Sequence, residues 1–399
     1  MHKNENRPSY KKTKVGWIPE GWEESSLGDF TKWGSGGTPS KANDSFWNGD
    51  IPWISAISMH TTRFSDSELK ITKEGLKAGS RLAPQNSLLL LVRGSMLFKK
   101  IPVGIAERDV AFNQDVKSII PDTKAVSSEY LLCWLLGHEQ RLLGMVGGTG
   151  IGAGKLDLQE LQSMELALPP LPEQEAIAKV LECWDRGIRN LELKIAKKRL
   201  IKKGLMQQLL SGQTRLPGFS KEWKIVNFLE AFEIQKGTKA LQVQTSEYQE
   251  SGRYPIVDQG QKKIVAYTDI DTLYSNVPVV VFGDHTRIVK WIDFPFVIGA
   301  DGTQLIIAKK IADLNFGYFL ISNTELTALG YSRHLKLLKE SDFRLPPLEE
   351  QRAIAEVLSA ADGEIEALEK KLALWKDQKK FLLNNLVTGT VRLPAFAGK

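Results

Sequence analysis

The chain has 399 residues, 42% of them hydrophobic and 25% charged, enough for two or three domains with cores of their own. Its net charge of +6 is modest, and its two cysteines, Cys133 and Cys183, match neither a disulfide framework nor a metal-ligand spacing, which points to a reducing compartment. The polar start MHKNENRPSYKKTK lacks the apolar core of a signal peptide, and the longest apolar run, residues 88–92, is far too short to span a bilayer; a cytoplasmic protein is expected.

Residues 1–165 read as a first mixed α/β block. Residues 17–30 make a short amphipathic start. Gly, Ser, Asn, Asp and Pro then dominate GSGGTPSKANDSFWNGDIPWIS, which predicts loop and turn with strand pieces. Residues 88–92, 103–106 and 116–120 are short apolar runs expected to be buried strands. Residues 128–145 carry Leu131, Leu132, Leu135 and Leu142 at helical spacing. The glycine-rich loop GGTGIGAGK follows and ends at Lys155.

Residues 168–219 organise the whole chain, because they occur twice. They align without a gap on residues 345–396 at an offset of 177, with 26 of 52 positions identical. Each copy opens on a proline-rich run that cannot be helix interior, and Pro172 suits a first helical turn. A helix of about 40 residues follows, roughly 60 Å long at 1.5 Å per residue. In the second copy Ile354, Leu358, Ala361, Ile365, Leu368, Leu372, Trp375, Lys379, Leu382 and Leu386 keep a 4-3-4-3 spacing. In the first copy the seam is Ile177, Leu181, Trp184, Ile188, Leu191, Ile195, Lys198, Lys202, Leu205 and Leu209. The lysines predict a local shift of the seam there. Gly212 and Gly389 suit C-terminal caps. A helix with one apolar stripe must bury it, and the other copy is the expected antiparallel partner. Residues 166–219 hold 10 Lys+Arg against 5 Asp+Glu, so +5 of the +6 sits here, mostly in KKRLIKK. That run fits a solvated helix face as well as a phosphate-tracking one.

Residues 220–342 repeat the first block in diverged form. Lys236-Gly-Thr-Lys echoes Gly36-Gly-Thr-Pro, Val277-Pro-Val-Val-Val-Phe-Gly echoes the run into Arg93-Gly94, and residues 296–308 echo 110–121. The predicted organisation is therefore 1–165, 166–219, 220–342 and 343–399, block, helix, block, helix. Arg-Leu-Pro-Gly-Phe leads from the first helix into the second block, and Arg-Leu-Pro-Ala-Phe ends the chain, so adjacent termini and a cyclic symmetry are expected.

Catalytic signatures fail in detail. GGTGIGAGK has Thr149 where a P-loop needs glycine, and Leu156 where it needs a hydroxyl for Mg²⁺. The sequences Glu68-Leu-Lys and Glu192-Leu-Lys lack the partner aspartate of a metal-dependent nuclease. No GxGxxG follows a strand, and no Asn-Pro-Pro-aromatic run suggests amino-group methylation. The five histidines are scattered. What remains is two dissimilar heads held apart by rigid helices. Such a device suits a ligand with two sites at fixed distance, such as DNA half-sites about 34–36 Å apart.

LPPLPEQEAIA and LPPLEEQRAIA, on helices ending SGQTRLP and TGTVRLP, resemble the specificity (S) subunit of type I restriction-modification systems. The stretches GSGGTPSK, GDIPWIS and YSRHLKLLKE also resemble its target recognition domains. The resemblance implies two mixed α/β (α+β) recognition domains separated by two long antiparallel helices forming a coiled coil, with pseudo-two-fold symmetry. Each domain would read one half of a gapped double-stranded DNA target. The helices would dock two methyltransferase (M) subunits that methylate adenine N6 with S-adenosylmethionine, and restriction (R) subunits would cleave with ATP and Mg²⁺. The S subunit itself would be non-catalytic and bind no cofactor or metal. The residues alone also admit a coiled-coil adaptor joining two protein-binding domains, or a specificity subunit for a fused methyltransferase-nuclease.

Leu193, Leu200, Ile201, Met206, Leu374, Phe381 and Leu383 lie off the pairing seam and suit M docking, unless the recognition domains cover them. Candidate DNA contacts are the polar and basic residues of predicted loops and strand ends. In the first block these are Ser35, Gly36, Thr38, Lys41, Arg93, Ser95, Lys99, Lys100, Thr149 and Lys155. In the second they are Lys236, Thr238, Lys239, His285, Thr286, Arg287, Arg333, His334 and Lys336. Asn113 and Gln114 read as structural.

Overall fold

The structure, a computed structural model, describes residues 9–148, 152–235, 238–326 and 334–397. The chain divides into two compact units, residues 1–191 with 371–399, and residues 192–370. Each long helix therefore contributes one half to each unit. The central helix is Leu171–Ser211 and the C-terminal helix is Leu348–Leu386.

In the first unit a five-stranded sheet runs in the order Thr31–Ser35, Val116–Pro121, Leu88–Leu91, Val103–Ala106, Arg63–Phe64. A four-stranded sheet runs Lys70–Ile71, Trp47–Ile54, Val110–Phe112, Arg81–Ala83, with the middle two parallel. All four residues of Leu88–Leu91 are fully buried, as an unbroken apolar run requires of a strand covered on both faces. The predicted helix over 128–145 is two pieces, Ser128–Gly137 and Glu139–Gly144. It breaks at His138, whose ring nitrogen Nδ1 and main-chain N–H both bond the Trp134 carbonyl, at 2.8 and 3.0 Å.

The second unit repeats this plan. One sheet runs Phe232–Ile234, Thr303–Ala308, Val279–Gly283, Val289–Ile292. The other runs Ala266–Thr268, Tyr254–Val257, Phe296–Ile298, Leu273–Tyr274, and again its middle strands are parallel.

The helices are rooted in these cores. Ile177, Leu181, Leu386 and Val387 belong to the first unit's core, and Leu209, Leu210, Ile354, Ala355 and Leu358 to the second's. Away from the cores, Ile188, Leu191, Ile195 and Ile365 are buried, while Trp184, Leu368, Leu372 and Trp375 are half-buried; Leu382 packs half-buried on the first core and Leu205 on the second. The pairing is antiparallel within each unit. Glu173 meets Arg392 and Asp185 meets Lys379 in the first, while Glu350 meets Arg215 and Asp362 meets Lys202 in the second. The seam lysines of the sequence are thus ion-pair partners, with Nζ–O distances of 2.5 Å for Lys379–Asp185 and Lys202–Asp362. Trp184 and Trp375 meet edge to face with centroids 5.9 Å apart.

The Glu-Gln pair of each repeat is fully buried and makes the same bonds in both units. Glu173 accepts from Arg392 Nε and Nη2 at 2.9 and 2.7 Å and from the Trp22 indole at 3.0 Å. Glu350 accepts from Arg215 Nε and Nη2 at 2.6 and 2.7 Å and from the Trp223 indole at 3.2 Å. The carboxylates hold both guanidinium pKa values above the usual arginine range. Gln174 donates to the Pro169 and Ala125 carbonyls and accepts from the Ser127 N–H, at the cap of helix Ser128–Gly137. Gln351 does the same with Pro346, Ile311 and Asp313, at the cap of helix Leu314–Ser322. One dipeptide thereby ties the long helix, the proline turn and the domain helix together.

The first and last described segments meet inside the first unit. The Tyr10 hydroxyl donates to the Gly389 carbonyl at 2.7 Å. Gly389 has φ +68°, and a Cβ there would stand 2.6 Å from Pro19, so helix termination and packing both require glycine.

Replacing Arg392 by Met should leave the Glu173 carboxylate buried with only the indole as partner and destabilise the first unit by about 3 kcal/mol. Replacing Lys379 by Met removes a more exposed pair and should cost less than about 1 kcal/mol. Chemical denaturation of the two variants measures the contrast.

Candidate nucleic-acid interface

In the first unit, strands Thr31–Ser35, Trp47–Ile54, Leu88–Leu91 and Val110–Phe112 all deliver the chain to one end of the domain, where Val116–Pro121 begins. The loops that leave these strand ends gather there. Gly36 lies so close to the Phe112 carbonyl that a Cβ would stand 2.1 Å from it, and the Gly37 N–H donates to the same oxygen at 2.9 Å. This contact fixes the 35–38 loop against the 113–117 turn. Across it the Thr38 hydroxyl donates to Gln114 Oε1 at 2.7 Å, and Lys117 Nζ donates to Ser35 Oγ at 2.6 Å. Burial lowers the Lys117 pKa below the usual lysine range, against the opposing pull of Asp115.

Beside this cluster, Arg93–Gly94 pairs with Gly154–Lys155 in a short ribbon, and Arg93 stands opposite Lys155. Both are exposed, as are Lys41, Ser95, Lys99 and Lys100. The structure therefore gathers Ser35, Gly36, Thr38, Arg93, Ser95 and Lys155 at one end of the domain, with Lys99 and Lys100 on the loop that leaves it. Thr149 lies outside the described residues. Lys117 joins the cluster without having been singled out from sequence, and Gln114 joins it although it read as structural. Asn113 is structural, its carbonyl oxygen Oδ1 accepting from the Val116 N–H, but Gln114 is exposed and faces Thr38. The one hint was a polar triplet, Asn-Gln-Asp, set between two apolar runs.

The second unit presents the equivalent end with different chemistry. Gln259 binds three neighbours: its Nε2 donates to the Asp301 carbonyl at 2.8 Å, its Oε1 accepts from the His285 N–H at 3.1 Å, and its carbonyl accepts from the Thr286 hydroxyl at 2.6 Å. Arg287, at φ +61°, donates to the Leu326 carbonyl at 2.9 Å. Lys290 is buried and donates to the Asp258 and Lys262 carbonyls at 2.7 and 2.6 Å; burial lowers its pKa. His285, Thr286 and Arg287 are thus woven into the loop framework.

His334 is not a surface reader. It is 2% exposed, and both its main-chain N–H and its Nδ1 bond the Asp284 carbonyl at 2.9 Å. The Leu156 N–H bonds the Val92 carbonyl in the same way in the first unit. The histidine therefore occupies the place of a core leucine. Lys336 is exposed and lies 3.8 Å from Glu340. Lys236 and Arg333 lie outside the described residues, as do the side chains of Thr238 and Lys239.

Of the apolar residues off the helix seam, Leu193, Leu200, Ile201, Leu374 and Phe381 are 46–70% exposed. Met206 and Leu383 are not free. Met206 packs on the second unit's core and Leu383 on the first's. Among the described residues no cluster of His, Cys, Asp or Glu could hold a metal ion, and no helix is long and apolar enough to cross a membrane. Cys133 is a core thiol whose pKa burial pushes up to about 12.

The sequence pattern of the Type I restriction modification DNA specificity domain matches the chain twice, over residues 19–198 and 220–374. The chain is 27% identical over 416 residues to the type I restriction enzyme MjaVIII specificity subunit of Methanocaldococcus jannaschii, covering 94% of each protein. It is 34% identical over 179 residues to the EcoR124I/EcoR124II specificity subunit of Escherichia coli, covering 44% of this chain and 42% of that one. Among solved structures, the S subunit of the type I restriction-modification system from M. genitalium shares the fold with a TM-score of 0.60, over 95% of this chain and 98% of that one, at 15% identity. With two copies of the domain pattern spanning most of its length, the chain belongs to the type I restriction-modification DNA specificity family.

Proposed function

We propose that this chain is the sequence-reading subunit of a type I restriction-modification complex, and that each unit reads one half of a gapped duplex target. The observation that carries this reading is a contrast between the units. Their Glu-Gln networks use the same residue types throughout, with the repeat's Glu, Gln and Arg positions each 177 apart, while their loop ends present different polar groups. A scaffold held constant beneath divergent tips is what two separate base readings require. The exposed Leu193, Leu200, Ile201, Leu374 and Phe381 offer apolar footing for two M subunits, and R subunits would join that assembly. S-adenosylmethionine would serve adenine N6 methylation in M, and ATP with Mg²⁺ would serve cleavage in R. This chain would supply no catalytic group and bind no cofactor, acting in the cytoplasm.

In the first unit, Gln114 and Thr38 are the base-edge candidates, since a carboxamide can pair bidentately with adenine. Lys117, Arg93 and Lys155 are the phosphate candidates. Methylome sequencing of cells carrying the full system reports the target and its gap. Exchanging residues 220–342 for those of another family member should change one half-target only; a change in both halves would refute the division of labour. Gln114→Ala should cost about 1–3 kcal/mol of binding and relax one target position. Lys155→Ala should weaken binding to all sequences alike and lower the salt slope by about 1. Fluorescence titrations at several salt concentrations separate the two outcomes.

A further inference from the structure

The loop after Leu88–Leu91 carries a side chain that neither the fold nor the polar contacts explain. Residues Ser95–Phe98 form one turn of 3-10 helix. Leu97 is fully buried within it, and the N–H groups of Lys99 and Lys100 both bond the Met96 carbonyl, at 2.9 and 3.0 Å. The Ile101 N–H is held by Glu139 at 3.0 Å. On this pinned turn Phe98 is 54% exposed. Exposing a phenyl ring forfeits burial, and a rigid support means the ring is not simply mobile surface. Lone exposed apolar residues are ordinary, but this one has company. Ile57 is 70% exposed on the turn that follows Trp47–Ile54, a strand whose end lies at the same recognition end of the domain. Apart from the long helices, these are the two most exposed large apolar side chains among the first unit's described residues. The basic neighbours Lys99 and Lys100 are both exposed.

We infer that Phe98 is an aromatic wedge for duplex DNA, stacking on or entering between bases of the half-target read by the first unit, with Lys99 and Lys100 on the flanking phosphates. This rests on the DNA-reading function proposed above. Exposed cations beside an exposed ring match a polyanion that carries stacked, apolar bases at its centre. The turn's internal bonds hold the backbone that carries the ring, so little main-chain freedom is lost on contact. In the second unit, among the described residues, no large apolar side chain is exposed in the loops around Gln259, His285 and Asp301. The two halves of the target would thus be held by different means, a wedge on one side and a polar web on the other.

The test uses the complete S–M complex and a duplex carrying its methylome-defined target. 2-Aminopurine is placed at successive positions of the first half-site. The wild type should raise its fluorescence at one step, and Phe98→Ala should abolish that rise and weaken target binding about 10- to 100-fold. Phe98→Trp should retain both. Lys99→Ala with Lys100→Ala should weaken target and non-target DNA alike. Circular dichroism and co-purification with M report whether each variant folds and assembles. If Phe98→Ala binds target as the wild type does, or shows the same fluorescence step, the wedge is wrong while DNA reading stands. If Phe98→Ala loses M instead of DNA, the ring is a protein contact and the wedge is again wrong. If the wild-type complex binds no duplex selectively, the DNA-reading function fails and the wedge fails with it.

Discussion

The structure depends on a buried carboxylate at the start of each long helix. Glu173 and Glu350 are out of water, and a buried charge persists only if it is paired and hydrogen-bonded. Each receives a bidentate guanidinium and an indole N–H, three donors to two oxygens. The demand dictates geometry. An arginine beyond the end of one helix must reach the beginning of the other, which fixes antiparallel direction and register together. A hydrophobic seam alone would tolerate sliding by a heptad; a bidentate pair would not. The neighbouring glutamine extends the constraint sideways, since its amide bonds orient the domain helix on the long one.

The repeat, the heptad seam, the helix ends and the apolar strands were legible because each is a local pattern. Residues 88–91 announce burial by being leucine throughout, and Gly212 and Gly389 announce termination. The network around Glu173 was not legible, although Glu173, Gln174 and Arg392 stood among the identical positions, because nothing local says that Arg392 will meet a glutamate 219 residues earlier. The same holds at the interface candidates. Lys117 and Ser35 are 82 positions apart, Gln114 and Thr38 are 76 apart, and only sheet register joins them. His334 misled for the opposite reason. Its setting, Tyr-Ser-Arg-His-Leu-Lys, is rich in polar and basic residues, yet the main-chain bond to Asp284 pulls the ring into a core position. Side-chain type indicates what a residue can bind, whereas the sheet decides what it faces.

The two units show how a fixed scaffold permits change. In the first, the candidate recognition end is assembled by a glycine contact and by hydrogen bonds whose partners remain at the surface. In the second, a single glutamine carries the web, and among the described candidates Thr286, Arg287 and His334 spend their side chains on internal bonds. Neither difference touches the Glu-Gln network, so loops can diverge without disturbing the helices beneath them.

The closing arginines differ in one respect that bears on how the protein is made. The second unit is one continuous segment, residues 192–370, and holds its own Arg215. The first needs residues 371–399, including Arg392. Loop entropy barely distinguishes the two closures: spans of 219 and 135 residues differ by about 0.4 kcal/mol. Order of synthesis distinguishes them sharply. In order of synthesis the second unit has all its parts first, although the first began earlier, and Glu173 has only the Trp22 indole until residue 392 is made. A chain that ended between residue 370 and Arg392 would therefore hold the whole second unit with its carboxylate paired, and a first unit whose carboxylate lacks its arginine.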